Sequence, residues 1–195
     1  YVEDGLLLSK NGIIQWFGPW DEGQRLIPEQ VQVQHYPDQL IVPGFIDTHI
    51  HFPQTEMIGA YGEQLLEWLN TVTFPEEARY SDLNYAEKAY SIFADDLKKS
   101  ATTRASIFGT LHVDATELLM DLMEKTGLKT FIGKVNMDRN SPDYLREPSA
   151  KDSEEATREW LKMVADKNYD HTRPILTPRF TPSCTDELME RLKGI

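Results

Sequence analysis

The sequence predicts an α/β fold in which helices flank a parallel sheet. Apolar runs of strand length recur along the chain from residue 41 onward. Each run is followed by a segment whose apolar residues recur at helical spacing. This alternation, repeated four times, is typical of a parallel sheet. Four strand–helix units could form a small open sheet, and they are also half of an eight-stranded β/α barrel.

Length and charge narrow the class of protein. The chain has 195 residues, a length that fits one domain or one domain with a small appendage. Its formal net charge is −12. An acidic chain is a poor binder of nucleic acid or anionic membrane, because phosphate contacts need clustered cations. No apolar run approaches the ~20 residues of a membrane span, and no signal peptide is visible. The single cysteine, Cys184, excludes an internal disulfide and fits a reducing, cytoplasmic setting.

The first 42 residues are expected to be all-β. Leu6-Leu7-Leu8 and residues 13–17 read as two strands joined at Lys10-Asn11-Gly12, a turn signal. Residues 31–35 alternate apolar and polar side chains, which predicts a weak third strand. This segment is too small to bury a core alone, so it must pack on the rest of the chain or on strands outside it.

The remaining elements follow from hydrophobic periodicity. The first strand of the body is expected to be buried and to cover residues 41–51, entered through Pro43-Gly44. A short helix over residues 64–69 is expected to end near Phe74-Pro75, and a long helix to begin at a Ser81 cap. Further strands are predicted at 102–109, 130–135 and 175–180, and further helices at 115–126, 153–166 and after Ser183 or Thr185.

A pair of histidines ends the first strand of the body. His49 and His51 are two residues apart, so on a strand their side chains point to the same side. Two imidazoles on one face can chelate a divalent ion, and zinc favours imidazole nitrogen. With five histidines in the chain, a chance pair is the alternative. An apolar strand that ends in two polar rings favours metal binding.

The segment around this pair resembles a known signature. Residues 43–51, Pro-Gly-Phe-Ile-Asp-Thr-His-Ile-His, are similar to the first strand of the amidohydrolase superfamily, which comprises metal-dependent hydrolases and deaminases. The resemblance implies half of a metal-dependent (β/α)8, TIM-like barrel preceded by part of a small β-sandwich domain. Residues 1–42 would then be the N-terminal part of the sandwich, and residues 43–195 the first four β/α units of the barrel.

Within that superfamily the chain resembles the guanine deaminases. The resemblance is carried by His51-Phe52-Pro53-Gln54, by residues 177–184 and by stretches at 65–69, 73–75 and 133–138. It implies hydrolysis of guanine to xanthine and ammonia on one zinc ion, in a homodimer. It also implies that His49 and His51 bind the metal and that Gln54, Arg179 and Phe180 bind the substrate.

The chemistry of these side chains suits a purine. An Arg fork matches paired acceptors such as guanine O6 and N7. Phe180 could contact the purine ring, and Gln54 offers both a donor and an acceptor. The alternatives are a rim ion pair for Arg179, a core position for Phe180 and a solvated loop for Gln54.

Other candidate residues receive structural interpretations. Trp68 could line the pocket, but a Trp on a short apolar helix is more often expected to serve packing. His112 is expected to be a structural histidine with satisfied hydrogen bonds. Glu76-Glu77 is expected to lie on a solvated helix face. Cys184 has no base partner nearby in sequence, which argues against a nucleophilic role.

The resemblance also predicts what the chain lacks. The family's third histidine ligand and its general acid/base Glu occur in a His-x-x-Glu arrangement, which this sequence does not contain. No catalytic residue is therefore assigned within the chain, and that Glu is expected beyond Ile195. Three alternatives stay open. They are another amidohydrolase acting on an amino-heterocycle, a non-catalytic purine- or metal-binding half-barrel module, and a small open-sheet binding protein with a chance histidine pair.

Overall fold

A computed structural model describes residues 1–62 and 64–195. The chain divides into two units, Tyr1–Val42 and Pro43–Ile195. None of the helices in the described residues is long and apolar enough to cross a membrane.

The smaller unit is built on a β-hairpin. Strand β1 (Gly5–Lys10) pairs antiparallel with β2 (Ile13–Pro19). The loop between them is Asn11-Gly12, and both residues have positive φ, at 52° and 76°, as the favoured two-residue hairpin turn requires. A short helix, α1 (Trp20–Gly23), and a 3₁₀ turn follow. The predicted hairpin is confirmed.

The third strand predicted at residues 31–35 is wrong. This segment has no regular structure, and its apolar residues Val31 and Val33 are exposed. A strand needs a hydrogen-bonded neighbour, and no strand of the described residues pairs with it. Alternation of valine with glutamine alone therefore does not hold the backbone extended.

The larger unit alternates strands and helices. Its strands are β3 (Phe45–His51), β4 (Thr102–Phe108), β5 (Lys129–Gly133), β6 (Val135–Asn136), β7 (Thr172–Pro174) and β8 (Thr177–Pro178). Its helices are α2 (Leu65–Trp68), α3 (Phe74–Ala78), α4 (Leu83–Lys99), α5 (Val113–Glu124), α6 (Ala150–Ala165) and α7 (Asp186–Lys193).

A parallel sheet forms the centre of this unit. Its strand order is β3-β4-β5-β7, all parallel, and beyond it β6 pairs in parallel with β8. The predicted α/β class and parallel sheet are confirmed. The β3–β4 register is irregular, since Asp47 pairs with Ala105 but Ile50 pairs with Ile107. Strand β3 thus gains one residue over its partner between Asp47 and Ile50, the stretch that contains His49, as in a β-bulge.

The first strand of the body is shorter and more exposed than predicted. It begins at Phe45, and Phe45 and Ile46 are each 62% exposed. The reason is position, because β3 is an edge strand that pairs only with β4 among the described residues. An apolar run does not reveal whether its strand is central or at an edge.

The helix predicted to end near Phe74-Pro75 continues instead. After α2, a π-helical turn (Leu69–Thr73) leads directly into α3 and a 3₁₀ turn, so residues 65–81 are helical throughout. Pro75 directly follows the π-helical turn, where the hydrogen-bond pattern is already shifted from that of an α-helix, so the missing N–H does not end the helical segment. The next helix, α4, is capped by Asp82 rather than Ser81, through a hydrogen bond from the Asn84 amide.

The fourth strand also lies elsewhere. The strand that joins the sheet is β7, before the predicted residues 175–180, while only Thr177-Pro178 form a second short pairing as β8. Ile175 and Leu176, between β7 and β8, are not part of either strand. The apolar run therefore marks the junction of two short strands rather than one strand.

The core lies between the sheet and its helices. Helix α4 packs on α5, and α5 on α6. The helices cover the sheet face that carries buried Ile107 and Ile132. A buried polar cluster extends this core. Lys134 donates to Glu147, and Glu147 accepts from the Met137 amide and from the Ser153 hydroxyl on α6.

Candidate metal and purine site

The histidine pair converges at the carboxyl end of β3. The two Nε2 atoms of His49 and His51 are 3.1 Å apart, so the two side chains point to the same side as the strand spacing predicts. Both rings pack on Phe108 at the end of the neighbouring strand, each with 4.7 Å between centroids. Phe108 therefore holds the two imidazoles beside each other.

The pair fits a divalent metal such as zinc. Two zinc–nitrogen bonds of about 2.0–2.1 Å in tetrahedral geometry place the nitrogens roughly 3.3 Å apart, close to the observed separation. Burial lowers the pKa of His51 to about 4, helped by the charges of Arg179 and His49. His51 is thus neutral near pH 7, which is the state that binds metal.

No third candidate ligand joins the histidine pair in the described part of the chain. Residues 1–62 and 64–195 contain no group of three or more His, Cys, Asp and Glu side chains placed to hold one metal ion. Asp47 has the same parity as the histidines, but its carboxylate accepts a hydrogen bond from the His49 amide at 3.1 Å. Asp47 therefore supports the backbone of the histidine segment.

A cavity opens beside the histidine pair. Its volume is about 420 Å³, and its wall includes His49, His51, Gln54 and Trp68. The Trp68 indole N–H donates to the Ala60 carbonyl at 3.1 Å, which ties α2 to a loop residue that also lines the cavity. Sequence reasoning assigned Trp68 to packing, whereas the structure places it at the cavity. The sequence pattern around Trp68, a Trp on a short apolar helix, does not distinguish a core position from a position in the cavity wall.

Gln54 and Arg179 are joined through a residue that sequence reasoning missed. Glu77 on α3 accepts a hydrogen bond from Gln54 Nε2 at 3.2 Å and forms an ion pair with Arg179 through its other oxygen. Glu77 is 3% exposed, so the expectation of a solvated position is wrong. The Phe74 ring lies 5.1 Å from the guanidinium carbon of Arg179, a cation–π distance. Arg179 is therefore a buried ion-paired side chain and not a rim residue.

Neither Arg179 nor Phe180 belongs to the residues that line the cavity. Arg179 is close enough for its charge to lower the pKa of His51. Phe180 directly follows Arg179 and is 37% exposed, so it is not a core residue. The structure thus brings His49, His51 and Gln54 to one cavity and links Arg179 to it through Glu77.

The hydrogen bonding of His112 differs from the expectation. Its Nε2 is buried and has no hydrogen-bond partner among the described residues, so the prediction of a satisfied histidine is wrong. Burial, and then the charge of Lys134, lower the pKa of its imidazole. Cys184 matches the expectation of an inert thiol, since it is buried and its Sγ contacts the Asn136 carbonyl oxygen at 3.3 Å.

Comparison with known proteins gives a consistent group of relatives. The sequence profile of the amidohydrolase family matches residues 40–193. The chain is 46% identical over 198 residues to a guanine deaminase of Escherichia coli (strain K12), covering 99% of this chain and 44% of that protein. It is 42% identical over 170 residues to a guanine deaminase of Dictyostelium discoideum, covering 87% of this chain and 38% of that protein.

A solved structure is similar over nearly the whole chain. The guanine deaminase from C. acetobutylicum, with guanine bound in its active site, superposes with a TM-score of 0.85 at 37% identity. The superposition covers 99% of this chain and 45% of that one. The chain therefore spans less than half the length of the relatives it matches.

Proposed function

Because the chain belongs to the amidohydrolase family, we propose that it supplies the N-terminal part of the active site of a zinc-dependent guanine deaminase. The reaction is the hydrolysis of guanine to xanthine and ammonia. The convergence of His49 and His51 beside a cavity, with their Nε2 atoms 3.1 Å apart, is the observation that carries the proposal. Identity above 40% to guanine deaminases of a bacterium and an amoeba supports the substrate.

The proposed architecture is half of a (β/α)8 barrel with part of a β-sandwich. The parallel order β3-β4-β5-β7 supports the first four barrel units over residues 43–195, and the hairpin in residues 1–42 supports the sandwich. The exposed edge at β3 suits a sheet to which further strands are added. The single cysteine suits the cytoplasm, and a homodimer stays a prediction from the resemblance.

His49 and His51 are the proposed metal ligands. A zinc ion held there would supply the Lewis acidity that makes water nucleophilic near neutral pH. Catalytic zinc sites use three protein ligands, and the described residues supply two. The remaining ligand and the general acid/base are therefore proposed to come from residues outside these 195.

Gln54, Arg179 and Phe180 are the proposed substrate-binding residues. Gln54 lines the cavity and offers its amide to a purine edge. Arg179 is a buried, permanently charged donor near the histidine pair, suited to the carbonyl and N7 acceptors of guanine. Phe180 is half-exposed beside Arg179, free to contact a ring bound there.

The test combines turnover with metal content in the complete protein. Ammonia release from guanine is measured with zinc supplied, and zinc stoichiometry is measured for wild type and for His51→Ala. His35→Ala is the matched control, because His35 is an exposed histidine in the smaller unit. We expect the wild type to deaminate guanine. Only His51→Ala should lose zinc, while wild type and His35→Ala retain it. Equal zinc retention by all three proteins would contradict the metal assignment, and turnover of another amino-heterocycle in place of guanine would contradict the substrate.

A further inference from the structure

We propose that Glu77 is a positioning residue that sets the hydrogen-bonding polarity of the purine site. By its contacts it turns the carbonyl oxygen of Gln54 toward the bound base, and it holds the guanidinium of Arg179, which can only donate, in place. This inference rests on the proposed function. It starts from the observation that one buried carboxylate contacts both proposed substrate-binding side chains, one with each oxygen.

The contact with Gln54 fixes the direction of its amide. Glu77 Oε1 is only an acceptor when ionised, so the atom of Gln54 that faces it must be the Nε2 donor, at 3.2 Å. Since Nε2 and Oε1 branch from the same carbon, the Oε1 carbonyl then points away from Glu77. Gln54 lines the cavity, so we infer that it presents its carbonyl oxygen there as an acceptor, while the second N–H of Nε2 stays available as a donor. A neutral amide at position 77 could accept or donate and would leave both orientations of Gln54 available.

The contact with Arg179 fixes the guanidinium in turn. The side chains of Arg179 and Glu77 are each 4% exposed, and a buried cation requires such a counter-charge. The pair uses Nη1 of Arg179. Within the described part of the chain, its Nε and Nη2 groups keep their N–H donors for another partner. The Phe74 ring, 5.1 Å from the guanidinium carbon, adds a second contact that limits its movement.

The resulting site selects a particular kind of ligand. It accepts at Gln54 and donates at Arg179, so a base satisfies both only if it offers N–H donors on one edge and acceptors on another. Guanine has that pattern, with its amino group and ring N–H as donors and O6 and N7 as acceptors. One carboxylate contacts both side chains and sets their orientation, so altering Glu77 affects both contacts together.

Glu77→Gln and Glu76→Gln form a matched pair of variants. Both remove one negative charge from α3, but Glu76 instead contacts Arg79 and Tyr85. In the complete, zinc-loaded protein we expect Glu77→Gln to raise KM for guanine by about tenfold to a hundredfold, the loss typical of a misplaced binding group. Zinc content should not change. Glu76→Gln should stay within about twofold of wild type, since it contacts neither substrate-binding residue.

A second variant covers the case in which Glu77→Gln does not fold. Glu77→Asp keeps the charge next to Arg179 but withdraws the carboxylate by one methylene, and should raise KM severalfold. In a Gln54→Met background the same change should have a clearly smaller effect, because one of the groups it positions is gone. A merely structural role would lower thermal stability without this dependence on Gln54.

The outcomes separate this inference from the proposed function. A wild type that deaminates guanine, with folded Glu77 variants of unchanged KM, overturns the role of Glu77 alone. Equal effects of Glu76→Gln and Glu77→Gln also overturn it. Calorimetry with guanine gives a readout that does not depend on turnover. A wild type that neither binds nor deaminates guanine overturns both proposals.

Discussion

The buried pair Lys134–Glu147 allows a sharp test of what stabilises the larger unit. The Lys134 side chain is fully buried and that of Glu147 is 6% exposed. Glu147 accepts three hydrogen bonds, from Lys134 Nζ, the Met137 amide and the Ser153 hydroxyl. Lys134→Met keeps most of the side-chain volume and leaves the carboxylate without its cation. Such a loss typically costs about 3–5 kcal/mol.

The assay is urea unfolding followed by circular dichroism at neutral pH. The double variant Lys134→Met/Glu147→Gln removes both charges and keeps an amide oxygen for the Met137 N–H, so it should be more stable than the single variant. Lys151→Met is the matched control. Lys151 and Glu155 form an exposed pair at 3.4 Å, and its loss should cost less than about 1 kcal/mol. A cost for Lys134→Met as small as that of the control, or a double variant no more stable than the single, would refute the reasoning.

Three further predictions concern other positions. A Cβ at Gly133 would lie 2.5 Å from the Ile175 carbonyl oxygen, so Gly133→Ala should destabilise the protein by roughly 1–3 kcal/mol in urea unfolding. Burial alone would raise the pKa of Glu124, but hydrogen bonds from the backbone amides of residues 170–172 outweigh it and lower that pKa. Glu124→Gln should thus cost stability at neutral pH, and the cost should shrink as pH falls below about 4.3. Burial raises the pKa of the Cys184 thiol, so a thiol reagent should label it only after unfolding.

Each of these has a contrary outcome. Unchanged stability of Gly133→Ala would mean that β5 and the Ile175 segment separate easily. A stability loss in Glu124→Gln that is the same at every pH would exclude a role for the ionised carboxylate. Rapid labelling of Cys184 in the folded protein would show that its surroundings open readily.

The sequence was most informative where a pattern reports local structure. Helices α4, α5 and α6 have apolar residues at helical spacing, and Asn11-Gly12 has the turn chemistry of a hairpin. The histidine pair was visible for the same reason, because two residues on one strand need only the strand period to meet. These features depend on neighbours in sequence.

The errors concern features that depend on distant partners. Glu77 reads as a solvated helix residue until Arg179, from the other end of the unit, reaches it. The expected strand at residues 31–35 lacks a neighbour in the described chain, and the first strand of the body is exposed because of its place in the sheet. Sequence periodicity does not encode which elements become neighbours.

The order of strands in the sheet has a consequence for how the protein is made. Strands β3, β4, β5 and β7 lie side by side in the order in which they leave the ribosome. Each new strand can therefore dock on the one before it while synthesis continues. The Arg179–Glu77 contact instead joins residues 102 positions apart. The contacts that join Gln54, Glu77 and Arg179 therefore form only after β8 has been made, later than the strands that hold the histidine pair.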